Sequence, residues 1–267
     1  MNSKAIGIFD SGIGGLTVYK AVKEKMPNEK VIYLGDTAHL PYGTKSPETI
    51  IKFSEENSKF LTEKGVKIIV IACNSSSSYA VPHLKDLLDI PVMGVIDPGS
   101  EAAVENKEKK IGVIGTTATI SSGAYERSIL KKDPDAEIVS MDCPLFVPLV
   151  EEGWIDHKVT DLIIKEYLVP LKRKGIKTLV LGCTHYPVLK SAIAKVMGPE
   201  IKLIDSAEVM ASRTQTILEK MGWLNDSEKS NNEDEFFVTD FPDRFKRVGE
   251  IFLGKKISKV EMITLGS

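Results

Sequence analysis

The chain has 267 residues, of which 42% are hydrophobic and 27% are charged, and its formal net charge is -2. This composition is typical of a globular protein, and the balanced charges offer no basic surface for nucleic acid or anionic lipid. No apolar run is as long as a membrane span, which needs about 18 residues, and the first residues lack the apolar segment of a signal peptide. We therefore expect a cytoplasmic protein that requires neither nucleic acid nor a membrane. Its three cysteines form no C-x-x-C pair, so neither a disulfide framework nor a metal site is predicted.

In the first part of the chain, short apolar runs alternate with helical patterns. The run IGIFD is followed by DSGIGG and then by apolar residues at every third or fourth position, which predicts a strand, a turn and a helix that Pro27 ends. After a second strand, VIYLGD, a helix is expected with Ser46 as N-cap, Pro47 at its first position and Gly65 at its end. A third strand, GVKIIVIAC, ends at Cys73 and precedes another helix.

The second part of the chain continues the alternation. Strands are predicted at IGVIGT, EIVSMD and GIKTLVLGC, the last of which ends at Cys183. Helical patterns cover residues 158–174, ended by Gly175, and residues 187–197, ended by Gly198. The last part predicts a further helix, a surface loop at NDSEKSNNEDE, and then the segments EFFVTD and KVEMI around a short helix.

Four segments of the first part recur later in the same order, each about 105–110 residues further on. IGIFDS resembles IGVIGT, VIYLGD resembles EIVSMD, GVKIIVIACNS resembles GIKTLVLGCTH, and VIDPGS resembles LIDSAE. Two copies of one unit predict two pseudo-symmetric lobes. The alternation of apolar strands with helices predicts an α/β fold in which both lobes are doubly wound domains with mainly parallel sheets.

In doubly wound sheets, ligands bind beyond the carboxyl ends of the strands. The candidate site residues are therefore those that follow the predicted strands: Asp10 and Ser11, residues 36–43, residues 73–75, Asp97, residues 115–117, residues 143–152, residues 183–185, and Asp205.

Some of these motifs indicate structure more than function. DSGIGG lacks the third glycine of a dinucleotide-binding loop, so its glycines are interpreted as a tight strand-to-helix turn. Asp10 and Ser11, at the mouth of the first strand, are suited to hold an ammonium group. Cys143 lies among apolar residues and is interpreted as a small buried hydrophobic residue. Three histidines show no metal-ligand spacing and are expected on the surface or in loops: His39, His83 and His157.

Cys73 and Cys183 both stand where an apolar strand gives way to polar residues. If the lobes face each other about an approximate two-fold axis, the two thiols approach one bound molecule from opposite sides. His185, two residues after Cys183, is placed to favour its thiolate or to relay its proton. Opposed acid-base groups of one kind suit a reaction that removes a proton from one face of a carbon and delivers another to the opposite face. The pattern therefore indicates racemisation or epimerisation.

Five motifs, in order over most of the chain, resemble those of the glutamate racemases in the aspartate/glutamate racemase superfamily: DSGIGG, GDTAHLPYGTKS, ACNSSS, CPLFVPLVEEG and GCTHYP. The resemblance implies an isomerase that interconverts L- and D-glutamate without a cofactor and supplies D-glutamate for peptidoglycan and the cell wall. It also implies an active site between two domains, the first formed by residues 1–97 and 207–267 and the second by residues 98–206. Members of the family are commonly dimers, so a homodimer is expected.

The same matches imply roles for individual residues. Cys73 would be the base that acts on D-glutamate and Cys183 the base that acts on L-glutamate, each being the acid in the opposite direction. Glu151 is preferred to Glu152 as a helper because it completes VPLVE. The helpers in proton handling would be Asp10, Asp36, Glu151 and His185. The residues that bind substrate would be Asp10, Ser11, Tyr42, Gly43, Asn74, Ser75, Thr184 and His185.

Two residues depart from the family pattern. Ser75 stands where threonine is usual and keeps the hydroxyl, so substrate binding is expected to survive. His39 stands where arginine is common and changes the charge near Asp36. A helix N-terminus and His185 are expected to increase the thiolate fraction of the cysteines, and hydroxyl and backbone N–H groups around the substrate carboxylate are expected to stabilise the carbanion.

Two other functions fit parts of this pattern. An aspartate racemase of the same superfamily would differ mainly in the length of its side-chain pocket. A two-lobed small-molecule binding or redox-sensing protein would use the two thiols as a reversible dithiol. Exchange of the substrate α-hydrogen with solvent separates both racemases from the binding protein.

Overall fold

The computed structural model describes residues 4–225 and 233–266. Most of the polar stretch predicted as a loop, NDSEKSNNEDE, lies outside these ranges. The described strands are Ile6–Asp10 (β1), Val31–Gly35 (β2), Ile68–Ile71 (β3), Val92–Gly94 (β4), Lys110–Gly115 (β5), Glu137–Asp142 (β6), Thr178–Gly182 (β7), Lys202–Asp205 (β8), Glu235–Val238 (β9) and Glu261–Met262 (β10). They form a six-stranded sheet and a four-stranded sheet, and every strand pairing among them is parallel.

Helices connect these strands and cover both sheets, as the predicted α/β fold requires. The described helices are Leu16–Lys25 (α1), Pro47–Glu63 (α2), Asn74–Leu87 (α3), Ile96–Glu105 (α4), Thr117–Ser121 (α5), Ala124–Lys132 (α6), Phe146–Glu151 (α7), Lys158–Arg173 (α8), Lys190–Met197 (α9), Ser206–Lys220 (α10) and Pro242–Leu253 (α11). The Ser46 hydroxyl caps α2 by accepting a hydrogen bond from the Thr49 N–H at 3.3 Å. Gly65 and Gly175 adopt positive φ at the ends of α2 and α8, as predicted.

The two sheets repeat one strand order. The six-stranded sheet runs β10-β9-β2-β1-β3-β4 and the four-stranded sheet runs β6-β5-β7-β8, so β1 to β4 and β5 to β8 occupy equivalent places. This confirms two pseudo-symmetric, doubly wound units. The fourth sequence match is wrong in register, however. The match aligns Asp205 with Asp97, which lies in the first turn of α4. In the sheets, Asp205 pairs with Leu181, and Gly94 pairs with Ile71, which is the residue equivalent to Leu181. Asp205 therefore corresponds to Gly94 and not to Asp97.

The last part of the chain rejoins the first sheet. Strand β9 pairs with β2, and β10 pairs with β9. Helix α10 packs against α1 and α4, while α4 packs against β7 and β8 of the second sheet. The division into a first domain of residues 1–97 and 207–267 and a second of residues 98–206 stays a prediction.

The glycines of the DSGIGG turn are required for a different reason from the one predicted. None of Gly12, Gly14 and Gly15 adopts positive φ. A Cβ atom at Gly14 would instead collide with the Thr184 hydroxyl and lie 2.5 Å from His185 Nδ1, in the other lobe. Gly14 is therefore a glycine because the two lobes approach each other closely at this point, whereas a Cβ atom at Gly12 would meet Leu40 and one at Gly15 would meet Asp10, both in the same lobe.

Candidate active site

A cavity of about 470 Å³ lies between the lobes, at the carboxyl ends of the strands. Of the twelve predicted site residues, those that line it are Ser11, Tyr42, Gly43, Cys73, Asn74, Ser75, Glu151, Cys183, Thr184 and His185. A larger cavity of about 920 Å³ lies between α3, α4, α6 and α10 and contains neither thiol. The smaller cavity is thus the place where the predicted chemistry is assembled.

Cys73 follows β3 and is the N-cap of α3. The thiol is 5% exposed. Its burial and the negative charge of Asp10 raise its pKa to about 11, although hydrogen bonds from Ser11 and Ser76 act in the opposite direction. The expectation that a helix N-terminus would enlarge the thiolate fraction is therefore wrong for Cys73, because burial and the charge of Asp10 outweigh the hydrogen bonds to the thiol. Cys73 holds its proton at neutral pH.

Cys183 follows β7 and has different neighbours. Its Sγ lies 3.9 Å from His185 Nδ1, and His185 Nε2 lies 3.1 Å from Glu151 Oε1. Burial lowers the pKa of His185, but hydrogen bonds to Cys183 and Glu151 outweigh it and raise that pKa to about 10. Burial raises the pKa of Glu151, but this effect is outweighed by the hydrogen bond and positive charge of His185 and by the charge of Arg244. The pKa of Glu151 is therefore lowered overall. The imidazolium therefore stays charged between Cys183 and a carboxylate.

Asn74 presents an unpaired donor in the cavity wall. Its Oδ1 accepts a hydrogen bond from the Tyr125 hydroxyl at 2.8 Å, while its buried Nδ2 has no partner. A buried donor without a partner is costly, and an acceptor oxygen that reached Nδ2 would remove that cost. The Ser75 hydroxyl lies beside it, 2.9 Å from Thr116 Oγ1 of the other lobe.

Two predicted residues, Asp10 and Asp36, do not line the cavity. The Asp10 carboxylate is fully buried, accepts a hydrogen bond from the Gly12 N–H at 2.9 Å, and lies 3.4 Å from the Thr184 hydroxyl. Its burial raises the pKa of Asp10, against the opposing charge of His185 and hydrogen bonds from Gly12, Gly15 and Thr184. Asp10 thus lies behind the cavity wall, and its role in proton handling stays a prediction.

Asp36 is also fully buried and supports the wall through other side chains. It accepts hydrogen bonds from the Tyr42 hydroxyl and, at 2.8 Å, from the Thr239 hydroxyl. His39 Nδ1 lies 2.9 Å from Asp36 Oδ1, and the His39 ring stacks on Phe53. His39, which stands where the family commonly has arginine, therefore contacts Asp36 behind Tyr42 and does not itself line the cavity.

The geometry of this site can be compared with known proteins. The family model described as Asp/Glu/Hydantoin racemase matches residues 6–214 of the chain. The chain belongs to this family.

Individual members of the Asp/Glu/hydantoin racemase family are similar over nearly the whole chain. A glutamate racemase from Geobacter metallireducens is 48% identical over 98% of this chain and 97% of that protein. One from Syntrophus aciditrophicus is 48% identical over 97% of this chain and 96% of that protein. The crystal structure of glutamate racemase from Francisella tularensis in complex with D-glutamate has a TM-score of 0.93 at 43% identity, covering 99% of this chain and 98% of that chain.

The sequence motifs did not identify several residues that line the cavity between the lobes. Arg244 lines it from α11, although it follows no strand end and belongs to no motif that we recognised. Thr116 and Thr117 do follow β5 and were among the strand-end candidates, but no motif match selected them. The remaining lining residues are Leu40, Pro41, Thr44, Pro144, Val147, Pro148 and Glu152. Asp97 and Asp205, also strand-end candidates, are outside this cavity.

The other histidines and cysteine fit their predicted structural roles. Cys143 is fully buried in the core, as predicted. His83 lies 3.1 Å from Glu55 in an exposed pair, and the His157 side chain caps α8. Within residues 4–225 and 233–266, no group of three or more His, Cys, Asp or Glu side chains is arranged to hold a metal ion. No helix in these ranges is long and apolar enough to cross a membrane.

Proposed function

We propose that the protein interconverts L- and D-glutamate without a cofactor, with Cys73 and Cys183 as the two acid-base groups. The observation that carries this proposal is that the two thiols follow equivalent strands of the two lobes and line one cavity. The names of the similar proteins support glutamate as the substrate. An aspartate racemase is the alternative that the substrate comparison below tests.

In the direction from L-glutamate, the thiolate of Cys183 takes the proton from Cα, and the electron pair stays on the carbanion and its carboxylate. The S–H of Cys73 then delivers a proton to the opposite face, which yields D-glutamate. The raised pKa of Cys73 supports its role as the acid in this direction, and protonated His185 balances the charge beside Cys183. The reverse direction uses the complementary protonation states.

The carbanion is the difficult species, because no cofactor serves as an electron sink. We assign its stabilisation to donors that face the substrate carboxylate. Asn74 Nδ2 is unpaired, and the N-terminus of the 14-residue helix α3 adds backbone N–H groups at Asn74 and Ser75. Thr184 supplies a hydroxyl from the other lobe. These donors are held in place by the fold, so they can stabilise the developing charge without the reorganisation that water would need.

The test is α-hydrogen exchange by the purified protein in D2O, with reductant present and no added pyridoxal phosphate. We expect deuterium at Cα of both products when L- or D-glutamate is supplied, detected by NMR, together with racemisation detected by polarimetry. L-Aspartate is expected to turn over far more slowly. Turnover of aspartate in preference to glutamate would assign the alternative racemase, and no exchange with either substrate would contradict racemisation altogether.

Substitution Asn74→Asp is expected to raise KM for glutamate about 10- to 100-fold, since a hydrogen bond to a charged group contributes about 1.5–3 kcal/mol. The change keeps the acceptor for the Tyr125 hydroxyl and replaces the unpaired donor with an oxygen that repels the substrate carboxylate. Asn106→Asp is a matched control, because Asn106 donates to Thr178 outside the cavity. Equal KM values in the two variants would contradict the assigned role of Asn74.

Substitution Gly14→Ala is expected to destabilise the protein by about 1–3 kcal/mol, as overpacking does, and also to reduce kcat/KM. The added methyl group meets Thr184 and His185 and forces the lobes apart. Gly222→Ala is the control, because Gly222 has φ +65 with nothing within 4 Å of the added atom, so its cost is only backbone strain. Thermal unfolding and steady-state kinetics of both variants measure these effects. An unchanged kcat/KM in Gly14→Ala would refute the steric argument.

We further propose that the protein is a cytoplasmic homodimer whose D-glutamate enters peptidoglycan. The family resemblance of the sequence motifs supports these assignments, and the names of the similar proteins support D-glutamate as the product. Light scattering coupled to size-exclusion chromatography tests the dimer, and D-glutamate auxotrophy after deletion of the encoding gene tests the cell-wall role.

A further inference from the structure

Arg244 connects the two lobes at the cavity, and the mechanism proposed above does not use it. It lies on α11, which follows β9 of the six-stranded sheet, whereas its partners lie at the end of α7 beside the four-stranded sheet. Arg244 Nη2 is 3.2 Å from Glu151 Oε2 and 3.5 Å from Glu152 Oε1. The guanidinium therefore meets a pair of carboxylates across the boundary between the lobes.

The two oxygens of Glu151 have different partners. Oε1 faces His185 Nε2 at 3.1 Å, and Oε2 faces Arg244. Because a carboxylate is planar, an anchor on one oxygen sets the orientation of the other. His185 in turn reaches Cys183 Sγ through Nδ1 at 3.9 Å. A continuous series of contacts thus runs from Arg244 through Glu151 and His185 to the thiol of Cys183.

The same helix also supports the imidazole ring. Phe252, eight positions after Arg244 on α11, packs edge-on against His185 with ring centroids 5.5 Å apart and an interplanar angle of 87°. Helix α11 therefore holds the carboxylate with one side chain and the ring with another. The Cys73 side has different neighbours: hydrogen bonds from Ser11 and Ser76 reach the thiol, and Cys73 is itself the N-cap of α3.

We infer that Arg244 is a positioning residue for the Cys183 half of the reaction, which it serves by anchoring Glu151 so that Glu151 orients His185 against the thiol. This inference rests on the proposed glutamate racemisation. Loss of the anchor leaves both thiols and all substrate donors in place but loosens the relay behind one thiol. Proton transfer at Cys183 then becomes slower relative to proton transfer at Cys73.

The test compares Arg244→Gln with wild type. We expect kcat/KM to fall about tenfold, within the ~10²-fold that a small misplacement of a catalytic group can cost, with KM changed less than about twofold. The fall is equal in both directions because the enantiomers are equally stable. The primary isotope effect on kcat/KM is expected to rise with [2-²H]-L-glutamate, whose deuteron goes to Cys183, and to fall with [2-²H]-D-glutamate, whose deuteron goes to Cys73.

Two further variants complete the experiment. Arg244→Lys keeps a cation near Glu151 and is expected to restore part of kcat and part of the wild-type isotope pattern. Arg247→Gln removes an exposed cation from the same helix away from the cavity and is expected to leave kcat, KM and both isotope effects unchanged.

Each other outcome decides against the inference. A higher KM with unchanged kcat in Arg244→Gln would assign Arg244 to substrate binding. Isotope effects that change equally for both enantiomers would assign it a general structural role. Wild-type protein that does not racemise glutamate would refute the proposed function, and the inference with it, whereas an active wild type with an unaltered isotope pattern in Arg244→Gln would refute the inference alone.

Discussion

Replacing either Cys73 or Cys183 with alanine is expected to abolish racemisation of glutamate in both directions. Each thiol is the base in one direction and the acid in the other, so removing one interrupts both directions. General acid-base groups contribute about 10²–10⁴-fold, and we expect a loss near the upper end of that range because each variant loses the base of one direction and the acid of the other. Polarimetry or circular dichroism of the glutamate enantiomers measures the loss.

Exchange of the α-hydrogen in D2O shows which enantiomer each thiol deprotonates. Cys73→Ala is expected to retain slow α-hydrogen exchange only with L-glutamate, which faces Cys183, and Cys183→Ala only with D-glutamate. Cys143→Ala is the matched control, because Cys143 is buried outside the cavity and its loss is expected to lower stability but not kcat/KM. Racemisation at near wild-type rate by either cavity variant would show that the two-thiol mechanism is wrong.

Glu151→Gln is expected to reduce kcat about 10- to 100-fold, because the neutral amide weakens the support that orients His185 and stabilises its charge. The neighbouring substitution Glu152→Gln is expected to change kcat less than about twofold, as an exposed ion pair contributes at most about 1 kcal/mol. Their surroundings account for the difference: the Glu151 side chain is 11% exposed and contacts His185, whereas that of Glu152 is 70% exposed.

The pair also separates position from charge. Glu151 and Glu152 are adjacent, and each substitution removes one negative charge. A general electrostatic effect on substrate binding would therefore change KM by a similar factor in the two variants. We expect kcat to separate them instead. Similar kcat values for Glu151→Gln and Glu152→Gln would contradict the assignment of Glu151 as the support of His185, for which the motif alone offered only a preference.

The two thiols are equivalent in topology and different in chemistry. Both end the strand that is third in its unit, yet Cys73 has a pKa raised to about 11 in a buried position near Asp10, whereas Cys183 faces an imidazolium held by Glu151. Duplication explains the shared position. The difference comes from the residues that follow each strand, Asn74 and Ser75 in one lobe and Thr184 and His185 in the other.

The sequence by itself determined the α/β fold, the duplication and most of the cavity lining. These properties depend on local patterns: apolar strands, glycine at helix ends, and polar residues at strand ends, which parallel sheets bring to one edge. The five motifs together therefore carried enough information to identify the family, and the strand-end positions of Cys73 and Cys183 predicted that both thiols line one cavity.

Only the tertiary structure decided the protonation of Cys73, the place of Asp10 and Asp36 behind the cavity wall, and the presence of Arg244. A pKa depends on burial and on charges that come from distant parts of the chain, and no periodic pattern records either. Arg244 reaches the site because β9 returns the tail to the first sheet and α11 packs on α1, from where the Arg244 side chain contacts Glu151, 93 positions away in the sequence. Such contacts arise from packing of the two lobes, which the local sequence around Arg244 does not encode.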